Sequence, residues 1–218
     1  MPKENNDRLS PEELAEIEGK YDPEMNFRHT GKWIGLVVSA LLVAMTVYHF
    51  YASGFGLIRE LLHRGIHISF VLGLGFLLFS WRRNKSPNPI KPTWYRPGGI
   101  SLLDFAFAIA GVGAALYLPL LPPEIVAFRV GNPAPIDVVM GTILLIAVLE
   151  LCRRSIGPTL PLIALVFILF ALYGPLAPGA LKHGGNSWTA LINHLYMTNQ
   201  GFYGVAIGVM AQYVFLFI

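Results

Sequence analysis

Charge is scarce in this 218-residue chain: aspartate, glutamate, lysine and arginine make up 13% of it, about half the share of an ordinary soluble domain. Acidic residues are the scarcest where the chain is greasiest. Eight of the thirteen precede Lys32, which leaves only Glu60, Asp104, Glu124, Asp137 and Glu150 for the remaining 186 positions. A single cysteine, Cys152, excludes an intrachain disulfide and matches no metal or redox motif. Residues 1–32 contain no apolar core, so no cleavable signal peptide is visible, and the first apolar run is expected to act as an uncleaved anchor. Phosphate-binding glycine loops, nucleophile elbows and paired carboxylate sites are also missing. No catalytic residue, metal or cofactor is therefore expected, and an enzyme is the least supported class.

What the chain has in quantity is apolar surface, at 54% hydrophobic residues. A bilayer core takes about 20 such residues per helix. Five runs approach that length: Trp33–Tyr51, Gly65–Trp81, Ile100–Leu121, Ile136–Leu151 and Pro158–Leu176. A sixth run, Gly201–Ile218, reaches the last residue and reads as a helix cut short. The expected fold is an all-α integral membrane protein with five complete transmembrane helices plus that sixth, in contact with lipid. The fourth run is the shortest, so its ends are expected to draw in neighbouring polar residues.

The net charge of +3 comes from short basic clusters beside the apolar runs, which is a topology signal and gives no reason to expect a nucleic-acid partner. With the N-terminus inside, segments 1–32, 82–99 and 152–157 carry twelve basic residues. The outside segments carry only Arg59, Arg64, Arg129 and Lys182. The count places the N-terminus in the cytoplasm, with Trp33, Trp81, Trp94 and Tyr95 at inner interfaces.

Between the runs, SPEELAEIEGK carries a Ser10 N-cap and Pro11 at the first helical position, predicting a short cytoplasmic helix. SPNPIKPTWYRPGG is too proline-rich for a regular helix and predicts a stiff connector. NSWTALINHLYM spaces Trp188, Leu191, Ile192, Leu195 and Tyr196 as one apolar face. It predicts an amphipathic helix on the outer interface, with Asn193 and His194 towards water.

Several residues are candidates for chemistry. His63 and His67 stand four apart, a spacing that metal ligands use, but Arg64 beside them repels a cation. Interfacial histidines at the start of a span are the expected reading. Asp104 and Asp137 each fall in the first turn of a span, where a carboxylate complements the helix dipole, so helix capping is expected of both. Ala106, Ala110 and Ala114 repeat every four positions, with Gly111 and Ala115 adjacent, and Gly204 with Gly208 forms a second small-xxx-small pair; both patterns predict close helix packing. Glu150 lies three and four residues before Arg153 and Arg154, the spacing of ion pairs on one helix face. Ile156-Gly157-Pro158 then ends the helix, so the charges should lock a tight cytoplasmic turn.

This turn and the residues after it carry a resemblance. VLELCRRSIGPTLPLIALVFILFALYGPLAPGALKHGG, together with LYMTNQGFYGVAIGVMAQYVFLF, resembles fused permeases of the TAXI type of TRAP (tripartite ATP-independent periplasmic) transporters. In that family an acid-x-x-Arg-Arg-x-x-Gly turn joins two helices, matching Glu150, Arg153, Arg154 and Gly157. An element containing Tyr196, Thr198, Gly201 and Gly204 then opens a further helix, although the family places an acid where Gln200 stands. RGIHISF and GNPAPIDVVMG resemble the starts of the second and fourth helices, so the resemblance covers most of residues 30–218.

The resemblance implies a polar tail at 1–32, a four-helix scaffold at 33–151 and the beginning of the large transport part at 152–218. It implies secondary-active solute uptake across a bacterial inner membrane, coupled to sodium or protons, with an extracytoplasmic solute-binding protein as partner. The substrate site would lie in later helices of the permease, the missing remainder of this chain. The face meeting the binding protein would comprise 177–200 and the 122–135 loop. The alternative is a non-transporting membrane scaffold or assembly protein that works at this length.

Overall fold

The computed structural model describes Ser10, Arg28 and residues 31–56, 58–81, 99–214 and 217. The expected helix within 10–20 and the proline-rich connector at 86–99 fall, but for Ser10 and Gly99, outside the described residues. Among the described residues the structure is helical and contains no strand element. Four helices are long and apolar enough to cross a membrane: α1 (Lys32–Phe55), α2 (Glu60–Leu78), α3 (Leu102–Leu120) and α5 (Pro135–Ser155). The short α4 (Pro123–Arg129) links α3 to α5. Beyond them lie α6 (Thr159–Leu172), α7 (Trp188–Ile192) and α8 (Val205–Val209). Both α7 and α8 continue as one wider turn of π-helix, over Asn193–Met197 and Met210–Val214.

Local chemistry sets these boundaries. Ser101 caps α3, its side chain accepting from Leu103 N at 3.3 Å. Proline stands at the first position of α4 and of α5, where a missing N–H costs nothing. The fourth apolar run becomes a 21-residue helix, about 31 Å long at 1.5 Å per residue. It gains that length by beginning at Pro135 and running on through Arg153 and Arg154. At its end Gly157 takes φ +112°, a conformation that a side-chain-bearing residue rarely adopts, and Pro158 comes next. The fifth run differs from expectation. Its α-helix has 14 residues, about 21 Å, because Gly174-Pro175 turns the chain into a 3-10 segment.

The core lies where α2, α3 and α5 meet, and small residues let them approach. A Cβ on Gly75 would strike Leu151, and one on Gly111 would press on Leu72 and Ala147. Around these contacts Leu72, Phe76, Ala114, Ala115, Leu118 and Leu144 are almost wholly buried. Helix α1 packs on α2 through Val38, Met45 and Leu74 and exposes most of its remaining surface. Helix α6 buries none of its residues.

The 188–197 segment packs its apolar face onto the bundle. Ile192 and Tyr196 are fully buried, seated against Gly141 of α5 where a Cβ would lie 2.5 Å from Ile192 Cγ2. Tyr196 reaches across the core to donate to the Ala114 carbonyl at 2.6 Å. Burial pushes the Tyr196 phenol well above its ordinary range, so it remains a donor at neutral pH. The expected water-facing side holds for His194, which is exposed, while Asn193 is half-buried.

Candidate functional site: a buried charge network at one end of the bundle

Glu150, Arg153 and Arg154 come together in the last turn of α5. Arg153 grips the Glu150 carboxylate with two hydrogen bonds of 2.9 Å, from Nε and Nη2. Arg154 Nε donates to the same carboxylate at 2.6 Å. The two arginines differ in depth: the Arg154 side chain is wholly buried and that of Arg153 is 36% exposed.

The network extends beyond this turn. Arg154 Nη1 donates to Asp104 Oδ1 at 2.7 Å, and Arg28 Nη2 donates to Asp104 Oδ2 at 2.5 Å. Arg28 also donates its backbone N–H to the Leu78 carbonyl at 2.8 Å. Three guanidiniums and two carboxylates thus share one cluster, dry at Arg28, Asp104 and Arg154 and open to solvent at Arg153, that joins α5, the start of α3, the end of α2 and the segment before α1. The aromatic lining is supplied by α2, α3 and Trp81. Arg153 lies 4.7 Å from the Trp81 ring centre, and Arg154 lies 4.9 Å from Phe76 and 5.6 Å from Phe107. Such faces partly replace the hydration that guanidiniums lose on burial. Among the described residues, no hydrogen-bond partner meets the buried Arg28 Nε and Arg154 Nη2.

Chemically, the cluster is a clamp. Both carboxylates are committed to guanidiniums, which leaves neither placed as a general base, and the separations are those of charge-assisted hydrogen bonds. Asp104 occupies the first turn of α3 as expected, but Ser101 makes the side-chain cap while both Asp104 oxygens serve arginines. Sequence reading missed that pairing. The signal was available: with the helices laid out as hairpins, the first turn of α3 and the last turn of α5 fall at one depth.

At the opposite end Asp137 does cap its helix. Its Oδ2 accepts from Ala134 N at 2.8 Å, and its Oδ1 accepts from Arg129 at 3.1 Å and from the Tyr117 hydroxyl at 3.0 Å. Of the small residues expected to pack, Ala114, Gly204 and Gly208 are buried, whereas Ala106 and Ala110 lie on an exposed face of α3. The buried stripe of α3 is Ala108, Gly111, Ala114 and Ala115, which keeps Gly111 and Ala115 of the expected set and adds Ala108. Gly208 makes room for the guanidinium of Arg64, which pairs with Glu60 and donates to the Tyr203 carbonyl at 2.5 Å. His63 and His67, near the start of α2 as expected, are packed between helices and are 4% and 5% exposed. Among the described residues no group of three or more histidines, cysteines or acids is arranged to hold a metal ion.

Fold and site together define a helical protein with four helices able to cross a membrane, tied at one end by a buried ion network. No protein-family model, curated protein or solved structure matches the chain.

Proposed function

We propose that this chain is the membrane scaffold portion of a secondary-active, ion-gradient-driven uptake transporter of the TAXI-type TRAP class. The observation that carries the reading is the turn at 150–158. Its acid-x-x-Arg-Arg-x-x-Gly spacing is the family's, and its charges clamp three helices and the segment before α1 at the seam expected between scaffold and transport parts. A further contact agrees with it. The 122–135 and 177–200 segments, proposed as the face for a solute-binding protein, touch through the Asn193 side chain, which accepts from Gly131 N at 3.0 Å.

In this reading the chain sits in a bacterial inner membrane, with its N-terminus in the cytoplasm and five complete spans plus the start of a sixth. Alone it moves no solute. It requires the remaining helices of the permease and a TAXI-type binding protein carrying a carboxylate-bearing solute, with sodium or protons as driving ion.

The test is co-expression of residues 1–218 with the remaining large-part helices of a TAXI-type permease and its binding protein. The expected result is co-purification and gradient-dependent uptake of a carboxylate solute, both lost in R153A/R154A. Stable expression with no association and no uptake would instead favour an assembly protein that works at this length. Orientation is checked separately with single cysteines: one at Ser10 should label only from the cytoplasm, and one at Lys182 only from outside.

A further inference from the structure

Three histidines that the charge network does not use meet between α1 and α2. His49 is fully buried, and the rings of His63 and His67 lie 5.4 and 5.1 Å from it, centre to centre. Hydrogen bonding fixes where the protons sit. His49 Nδ1 lies 2.7 Å from the Met45 carbonyl, which can only accept, so this nitrogen carries a proton. In the neutral ring Nε2 then holds the lone pair. The 2.9 Å contact between His49 Nε2 and His67 Nδ1 is therefore a donation from His67 to His49. His63 Nδ1 shares a hydrogen bond of 3.1 Å with the Tyr48 hydroxyl.

This group also has a way in. A cavity of about 310 Å³ opens at the Gly56 end of the helices and ends on His63, with Ser53, Gln212 and Tyr213 along its wall. His67 stands at the edge of a second cavity of about 260 Å³, whose surface is almost entirely apolar. Water can enter along the first lining and is disfavoured by the second. Among the described residues, the titratable and charged groups facing the histidines are Tyr48 on α1, Arg64 with its partner Glu60 on α2, and Tyr213 on the α8 segment. Cys152 and Ser155 of α5 border the second cavity.

We propose that the His49–His67 pair, with His63 at its entrance, is a proton-binding site inside the bundle, loaded from the Gly56 end. Histidine is the side chain whose ordinary titration falls near neutral pH, and ionisable groups at this depth in a membrane span are costly unless used. Each neutral ring already holds one N–H proton. A further proton, delivered as hydronium through the cavity and taken up at His67 Nε2, makes His67 an imidazolium and turns its Nδ1–H donation to His49 into a charge-assisted N–H···N bond. Rings this close titrate as a coupled set, so a change at one must move the others. The site does not depend on the transport reading and would hold equally for an assembly protein.

The test monitors the ring nitrogens by NMR in the full chain, labelled with ¹⁵N-histidine and held in lipid nanodiscs from pH 4 to 8. Resonances are assigned with H49Q, H63Q and H67Q, and H183Q serves as a control outside the cluster. His49 and His67 should change protonation over one pH interval. The His67 midpoint should move by about one pH unit in H49Q and stay in place in H183Q. Rings of His49 and His67 that remain neutral throughout pH 4 to 8 in the unmodified chain overturn the proposal, whether or not any variant folds. So does a His67 midpoint that responds no more to H49Q than to H183Q.

Discussion

Asp104 and Asp137 occupy the same place in two helices, the third residue of α3 and the third of α5, yet they do different things at opposite ends of the bundle. Asp137 reaches back to the Ala134 N–H and closes its own helix, with Arg129 and Tyr117 as partly exposed company. Asp104 leaves its cap to Ser101 and spends both oxygens on Arg28 and Arg154, whose side chains are 3% and 0% exposed. The helix position offers each carboxylate the same dipole and the same nearby N–H groups. What differs is which cations the fold brings within reach, and how dry it leaves them.

The largest expected effect is therefore at Asp104. D104A leaves Arg28 without its carboxylate and Arg154 with Glu150 alone, and should destabilise the protein by about 3–5 kcal/mol, read as a fall in the denaturation midpoint by circular dichroism in detergent. Combining D104A with R154A should recover part of that loss, with a coupling energy of about 0.5–3 kcal/mol, because the double variant no longer buries a guanidinium that has lost one of its two carboxylates. Additive losses would mean that Arg154 is held by Glu150 alone. D137A is expected to cost about 1–2 kcal/mol, the scale of a lost helix cap, since Arg129 can turn to solvent. If D137A matched D104A, the two ends would be energetically alike and the contrast would fail. The smallest effect belongs to R153A, at or below about 1 kcal/mol, since its side chain is partly exposed and Arg154 still holds Glu150.

These contrasts show how far residue spacing can be read. Glu150, Arg153 and Arg154 are legible because all three lie on one helix turn, where three- and four-residue spacing fixes proximity before any tertiary contact forms. The Arg154–Asp104 pair crosses 50 positions and needs the α3–α5 hairpin to exist first. The alanine repeat misleads for a related reason. Ala106, Ala110 and Ala114 share a spacing but drift around the helix, so that Ala106 and Ala110 are exposed while Ala114 is buried beside Ala108, Gly111 and Ala115. Trp188–Tyr196 has an amphipathic face as expected, but periodicity says nothing about which apolar surface receives it. Gly141, by leaving a gap on α5, decides that the receiver is the core.

By itself the sequence determined the helical class, the first four of its five expected spans, the sharp stop at Gly157-Pro158 and the charge triad of one turn. Each of these rests on interactions within about four residues, or on the transfer of apolar side chains out of water, and neither requires knowledge of a partner helix. Only the tertiary structure decided that Asp104 serves arginines, that Tyr196 is interior, and that His49 finds His67. Those outcomes depend on the depth and rotation at which whole helices pack, and these are set by the gaps that Gly65, Gly75, Gly111 and Gly141 leave for their neighbours.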